Sequence, residues 1–306
     1  MKKTCFFLLA LFLTFICTAQ RSFEPEVYDH QLELRHDNDF FTLTDRYYSS
    51  GLFLTYRTVL KKGVFGAQEQ LSLRLGQEVH TPSQTQSTNS SLFDIPYAGF
   101  TGLWGNWSMA KNNVLFDIGT LVGLVGNNSG AGGFQRWYHR AVAISDSPLW
   151  IDELNNSFHL NFYATYTKEW ELAPNPFGVR FAFQPKLAMG SRDIFGETEA
   201  IFHFGRRNAI GESIAYQRLG NNEREIYFSF HFGYRQVLYN GFIEGNLFGD
   251  SSPVTRTPEN SVVLLGFDFN HRFDQNDYRF GIRWQSSETA DAKSHIYIQL
   301  SYALGW

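Results

Sequence analysis

The sequence predicts an all-β protein: an antiparallel transmembrane β-barrel of about twelve strands, with a short helix in one extracellular loop. Three observations carry this expectation. The chain opens on an export signal, apolar and polar residues alternate along strand-length segments, and the last such segment ends on Trp306.

The export signal comes first. Met1, Lys2 and Lys3 form a positive start, and Cys5 to Cys17 is a mostly apolar stretch of thirteen residues. That length suits a secretory core and is too short to span a bilayer. Thr18-Ala19-Gln20 suits cleavage, so residues 1–19 read as a signal peptide and 20–306 as one outer-membrane barrel domain. A lipid-modified Cys17 is the alternative, but Ile16 stands where such signals carry a small residue. Both cysteines leave with the signal, which excludes a disulfide, a thiolate nucleophile and a cysteine metal ligand. Losing Lys2 and Lys3 leaves 24 of 26 basic residues against 30 acidic ones, moving the formal charge from −4 to −6. An acidic chain without basic runs argues against nucleic acid as a partner.

The mature sequence has no apolar run long enough for a transmembrane helix, and the mean hydropathy of the whole chain is −0.28. Yet aromatic residues make up 17%, with 30 Phe and 15 Tyr. A barrel reconciles these facts. Alternate residues of each strand meet lipid, so mean hydropathy stays low while aromatics gather at the two interfaces.

The strands follow in order at 30–41, 50–61, 68–80, 97–110, 112–125, 158–171, 177–190, 195–206, 224–248, 259–273, 277–288 and 293–306. The last shows the alternation best. Ile296, Ile298, Leu300, Tyr302, Leu304 and Trp306 share one face, and Tyr297, Gln299, Ser301, Ala303 and Gly305 the other. A soluble sandwich strand is the competing assignment for this segment. Short turns at Ala110-Lys111-Asn112-Asn113, Ala173-Pro174-Asn175-Pro176 and Asp274-Gln275-Asn276-Asp277 suit periplasmic hairpins. Both termini of such a barrel belong in the periplasm, so the strand number must be even. Splitting 224–248 near Tyr239-Asn240-Gly241 would give thirteen, whereas one long or bulged strand gives twelve. Twelve strands leave 207–223 as a sizeable periplasmic loop that the sequence does not explain. Gln84–Ser91 and Gly126–Gly133 read as loops.

This topology gathers the polar clusters at the extracellular rim. His36-Asp37-Asn38-Asp39 closes the first strand, and Asp45-Arg46-Tyr47-Tyr48 leads into the second. Asp37, Asn38 and Asp39 offer hard oxygen ligands of the kind Ca²⁺ takes. Alternation puts Asn38 and Asp39 on opposite faces, so both serve one site only where the strand bends or bulges. In the insertion 126–156, Phe134, Trp137, Tyr138, Ala141 and Ile144 fall on one side of a helix that Pro148 stops. This short amphipathic helix is expected to pack against the rim and to hold one Gln–His pair toward it. Gln135 and His139, four apart, point together from a neighbouring face. A histidine beside amide and acidic groups suits a general base. Asp146 lies too far along for direct contact, and Asp152 and Glu153 follow in the descending linker. Charged rim loops are also the ordinary condition of a barrel. H-E-x-x-H, G-x-S-x-G and the EF-hand pattern do not occur.

These same residues carry a family resemblance. Leu34-Arg35-His36-Asp37-Asn38-Asp39-Phe40-Phe41, followed by Thr44-Asp45-Arg46-Tyr47-Tyr48-Ser49-Ser50-Gly51, resembles the opening motif of the lipid A 3′-O-deacylase (LpxR) family. Gly76-Gln77 with Thr81-Pro82, and Pro96-Tyr97-Ala98-Gly99, resemble its second block. Gln135-x-x-x-His139 resembles its catalytic block, and Asn240-Gly241-Phe242-Ile243-Glu244-Gly245-Asn246 a late one. The resemblance implies a twelve-stranded outer-membrane barrel with its active site at the extracellular rim. It would remove the 3′-linked acyloxyacyl group from lipid A with Ca²⁺. It implies that His139 activates water, Gln135 helps position the site, and a calcium near Asn38 and Asp39 stabilises the oxyanion.

Two departures bear on specificity. Asp94-Ile95 precedes Pro96 where the family often carries Asp-Arg, so a phosphate partner would have to come from Arg46, Arg136 or Arg140. Leu149-Trp150-Ile151-Asp152-Glu153 departs from the family pattern after the histidine, and Glu153 is the acidic partner expected for His139. The competing functional readings are a non-enzymatic barrel, acting as a pore or surface-binding protein, and a serine phospholipase using Ser49 or Ser50. Nothing in the sequence sets either serine beside a histidine or specifies an oligomer.

Overall fold

Antiparallel pairing of every strand with its neighbours satisfies backbone groups without water, which is what a lipid environment demands. In the computed structural model, which describes residues 28–39, 46–142, 146–219 and 221–306, twelve strands close on themselves. They are β1 (His30–Asn38), β2 (Tyr47–Leu60), β3 (Gln68–Thr81), β4 (Ala98–Lys111), β5 (Val114–Val125), β6 (Ser157–Ala173), β7 (Gly178–Gly190), β8 (Asp193–Arg206), β9 (Glu225–Asn240), β10 (Ser261–Phe273), β11 (Asn276–Gln285) and β12 (His295–Gly305). The signal segment 1–19 lies outside the described residues, as do residues 40–45.

The seam joins β1 to β12, with Gln31 opposite Gly305 and Asn38 opposite Ile298. His30 N donates to Trp306 O (3.2 Å), and Trp306 N donates to His30 O (3.0 Å). The segment expected as one long strand over 224–248 ends as strand at Asn240. There a short helix, α2 (Gly241–Glu244), takes over. The Asn240 side chain accepts from Phe242 N, and Glu244 accepts from Asn240 N, a reciprocal cap that stops the strand. The even strand count therefore holds.

The period-two pattern sorts each strand into an outer and an inner face. Leu32 and Leu34 are exposed on the outside of β1, whereas Gln31 and Glu33 are buried inside. Many of the charges facing the lumen are paired, because a charge shielded from water is costly alone. Glu33 meets Arg57 (2.8 Å) and Arg279 (3.1 Å), and Asp268 meets Arg283 (2.7 Å) and His231 (2.9 Å).

The periplasmic loop 207–224, unexplained by sequence, folds up into the barrel as a plug. Arg218 donates to Ser108 Oγ (2.5 Å) and Gln68 O (2.6 Å). Arg272 on the wall donates to the carbonyls of Glu212, Arg218 and Asn221. Glu225 accepts from the backbone of Asn208 and Ile214. At the other end, the Arg192 guanidinium lies 4.7 Å from both the Phe100 and Phe242 rings and pairs with Glu78. Phe242 of α2 thus packs into the extracellular mouth with Phe100, Leu121 and Leu154.

Candidate active site on the outer wall

The candidate residues gather on the outside of the barrel wall, at the end away from His30 and Trp306. Alternation decides this. His36 and Asn38 share a face with the exposed Leu32 and Leu34, and Gln77 and Val79 share one with the exposed Leu71, Leu73 and Leu75. Over that surface lies α1 (Ala131–Val142). Gln77 Nε2 donates to Ser129 O (3.1 Å), just before the helix, and the His36 ring meets Tyr138 edge-on at 6.2 Å. Gly99 permits this approach, since a Cβ there would lie 2.6 Å from the Ala131 Cβ.

A bulge in β2 supplies the centre of the arrangement. Pairing with β3 shifts between Tyr48 and Ser50, so Ser49 is the extra residue, and Tyr47 takes a φ of +60°. The Ser49 carbonyl accepts from Asp39 N (3.2 Å) and Asn38 Nδ2 (3.3 Å). Its hydroxyl donates to Val79 O (3.4 Å) and accepts from Gln135 Nε2 (3.4 Å). One residue therefore ties the end of β1 to α1.

Asn38 is the last residue of β1 and Asp39 sits in the bend after it. The bend and the facing bulge are the irregularity that the sequence required if both were to serve one site. They are 9% and 2% exposed, and Asp39 Oδ2 accepts from Arg46 N (3.0 Å). Asp37 does not join them. It points into the lumen, accepting from Tyr48 Oη (2.8 Å) and Gln299 Nε2 (3.1 Å) beside Arg35. Among the described residues no cluster of three or more His, Cys, Asp or Glu is suited to a metal. Two buried, adjacent, oxygen-bearing side chains fit a calcium completed by carbonyls, water and substrate, rather than a closed protein cage.

Gln135 is 4% exposed and His139, one turn on, is half-buried. Trp150 Nε1 donates to Gln135 Oε1 (2.6 Å). The helix lies on the wall with Gln135 turned toward it. Ala131 and Gln135 are its buried residues, while Trp137 is 56% exposed and Ala141 is also exposed. Phe134 and Tyr138 are half-buried, with Tyr138 against His36, and Trp137 is the member of the aromatic side turned outward. Ile144 lies outside the described residues. Burial raises the Glu153 carboxyl above the ordinary glutamate range, and the Arg136 charge pulls it the other way. Arg136 is thus the charge that acts on Glu153. Ile95 is buried, and Asp94 accepts from Tyr47 Oη (2.9 Å) and Ser83 N (2.9 Å), so this departure from the family pattern serves rim packing.

Sequence reasoning missed Ser49 as an organiser, because a bulge leaves no mark in composition. It also missed Trp150. A Ser–His contact does occur, at Ser157 Oγ and His159 Nε2 (2.7 Å). His159 Nδ1 reaches Ser191 O (2.9 Å), which braces β6 against the β7–β8 turn.

The family described as outer membrane protein LpxR matches residues 6–306. The chain belongs to the LpxR family. LpxR from Salmonella typhimurium is similar in fold, with a TM-score of 0.76 and 17% identity. The match covers 90% of this chain and 100% of that one. The β domain of the Bordetella autotransporter BrkA has a TM-score of 0.48 at 9% identity, covering 92% of this chain and 100% of that one. No curated protein matches. As an LpxR-family barrel, the chain is an outer-membrane protein.

Proposed function

We propose that this LpxR-family protein is a lipid A deacylase, an ester hydrolase acting on lipopolysaccharide from the extracellular rim. The observation that carries the proposal is the Ser49 bulge, which holds Asn38, Asp39 and Gln135 together on the outer wall. A site there opens toward the leaflet that holds a membrane-embedded ester, rather than toward the lumen.

The chemistry proposed is removal of the 3′-linked acyloxyacyl group. His139 accepts a proton from water as the water oxygen bonds to the ester carbonyl carbon. The bond from that carbon to the sugar oxygen then breaks. His139 returns the proton to the sugar oxygen, and the acyloxyacyl acid departs. Glu153 would orient and charge-balance His139, and Gln135 would position the reacting group. Ca²⁺ held by Asn38 and Asp39 would supply positive charge where the oxyanion develops. Arg46, Arg136 and Arg140 stand as candidate phosphate partners in place of the basic residue absent at Ile95.

The plug at the periplasmic end and Phe242 in the extracellular mouth count against a pore. Mass spectrometry of lipid A from cells expressing the protein tests the enzyme assignment. The wild type is expected to shift lipid A down by the 3′ acyloxyacyl mass. His139→Ala, or wild type with a calcium chelator, should leave the lipid unmodified while the barrel still assembles. Continued deacylation by His139→Ala would overturn the role given to His139.

A further inference from the structure

We propose that Trp150 is a positioning residue that sets the orientation of the Gln135 amide; the inference rests on the reading of Gln135 as part of a hydrolytic site. The indole N–H is a donor and never an acceptor. The Gln135 atom 2.6 Å from Trp150 Nε1 must therefore be the carbonyl oxygen, whatever orientation the amide would otherwise adopt. That forces Nε2 toward Ser49 Oγ. Ser49 in turn passes its proton toward Val79 O. The result is a chain of hydrogen bonds running one way, from the indole through the amide and hydroxyl to a β3 carbonyl. It orients the Gln135 amide with its nitrogen, which donates to Ser49, rather than its carbonyl, toward the wall side, where Ser49 also holds Asn38 and Asp39. An N–H there suits a developing negative charge; a carbonyl would oppose it.

The surroundings of Trp150 hold the indole in place. Its ring lies 5.1 Å from the Tyr97 ring and packs with Val79, Phe93 and Ala131. Thr85 O accepts from both Tyr97 Oη (2.8 Å) and Leu149 N (3.1 Å), fixing the chain on either side of that stack. Trp150 itself has a φ of +54°, unusual for a bulky residue. Strained conformations persist where surrounding contacts over-determine them, and here they aim one N–H at one oxygen. Gly132 makes room, since a Cβ there would lie 2.8 Å from the indole.

Trp150→Phe keeps a ring in the cluster and removes the N–H. It is expected to lower kcat about 10- to 100-fold with KM unchanged, in the range typical of partners that orient a working residue. Gln135→Ala should cost at least as much, and the double variant no more than Gln135→Ala alone, because the indole acts through the amide. Full activity in Trp150→Phe, or losses that multiply in the double variant, would overturn the proposal. A second measurement needs no turnover. The Trp150 indole proton, assigned by its loss in Trp150→Phe, should exchange slowly with solvent in the wild type and faster in Gln135→Ala. Unchanged exchange in Gln135→Ala also refutes the pairing. Released exchange in a protein that leaves lipid A intact would uphold the pairing while sinking the deacylase reading.

Discussion

At the scale of single residues, the sequence made Asn38, Asp39, Gln135 and His139 legible as candidates because their spacing survives in the local structure. Gln135 and His139 stay one helical turn apart, and Asn38 and Asp39 close a strand. Glu153 was harder to read, since a linker residue has no periodicity to fix its direction. Its environment now supports a prediction. Burial favours the protonated carboxyl, so a carboxylate needed beside His139 is present above its raised pKa and lost as pH falls through it. Arg136 opposes that shift. Arg136→Gln is therefore expected to move the Glu153 part of the acid limb of the activity profile to higher pH, and Glu153→Gln to remove that part and leave the limb to the general base. A pH–rate profile in which neither variant moves the limb would separate Glu153 from the reaction.

At the scale of elements, strands other than β9, which stops at Asn240 short of the expected 248, were readable to within a few residues because alternation is a direct consequence of one face meeting lipid. The helix was readable too, and so was the Gln135 face it turns to the wall; the outward turn of Trp137 was not. Its aromatic stripe looked like a core face, and in a soluble protein it would be one. Against a barrel wall at the membrane boundary, small Ala131 gives close approach and buried Gln135 gives connection, while Trp137 meets the interface. The link from β5 to α1 passes through Gly126, at φ +87° and ψ −161°. A Cβ there would lie 2.6 Å from Leu154 O. Gly126→Ala is expected to cost about 1–3 kcal/mol locally, since only glycine adopts this conformation without strain. Limited proteolysis should cut the 126–156 loop faster in the variant, and activity should fall, while the barrel keeps its heat-modifiable migration. A loop as protease-resistant as the wild type would show that Gly126 does not set it.

At the scale of the whole molecule, strand parity was decided by the termini, and closure of the twelve strands followed. The plug was not legible. A polar loop that enters a charged lumen has the same composition as one that stays outside, and Arg57, Arg218 and Arg272 read as ordinary strand and loop cations. In place, Arg57 reaches Gln217, and Arg272 binds three loop carbonyls. Replacing residues 208–222 by a short Gly–Ser linker is expected to convert a quiet barrel into a conducting one in planar bilayers. Steady conductance by the wild type would refute the plug's role. Buried arginines stripped of partners are costly in a closed site, about 3–5 kcal/mol. Water entering the opened lumen would offset much of that, so the deletion should still assemble.

Closure has a temporal consequence as well. Asn38 pairs across the seam with Ile298, and Tyr47, beside the bulge, accepts from Lys293 N. The first and last strands meet there only after the entire chain has been made, the longest-range contact that the topology contains. A half-made chain can hold the contacts among β1, β2, β3 and α1, but it lacks the β12 partner that flanks β1 on its other side. The Asn38 end of β1 is therefore set between both of its neighbours only when the barrel seals.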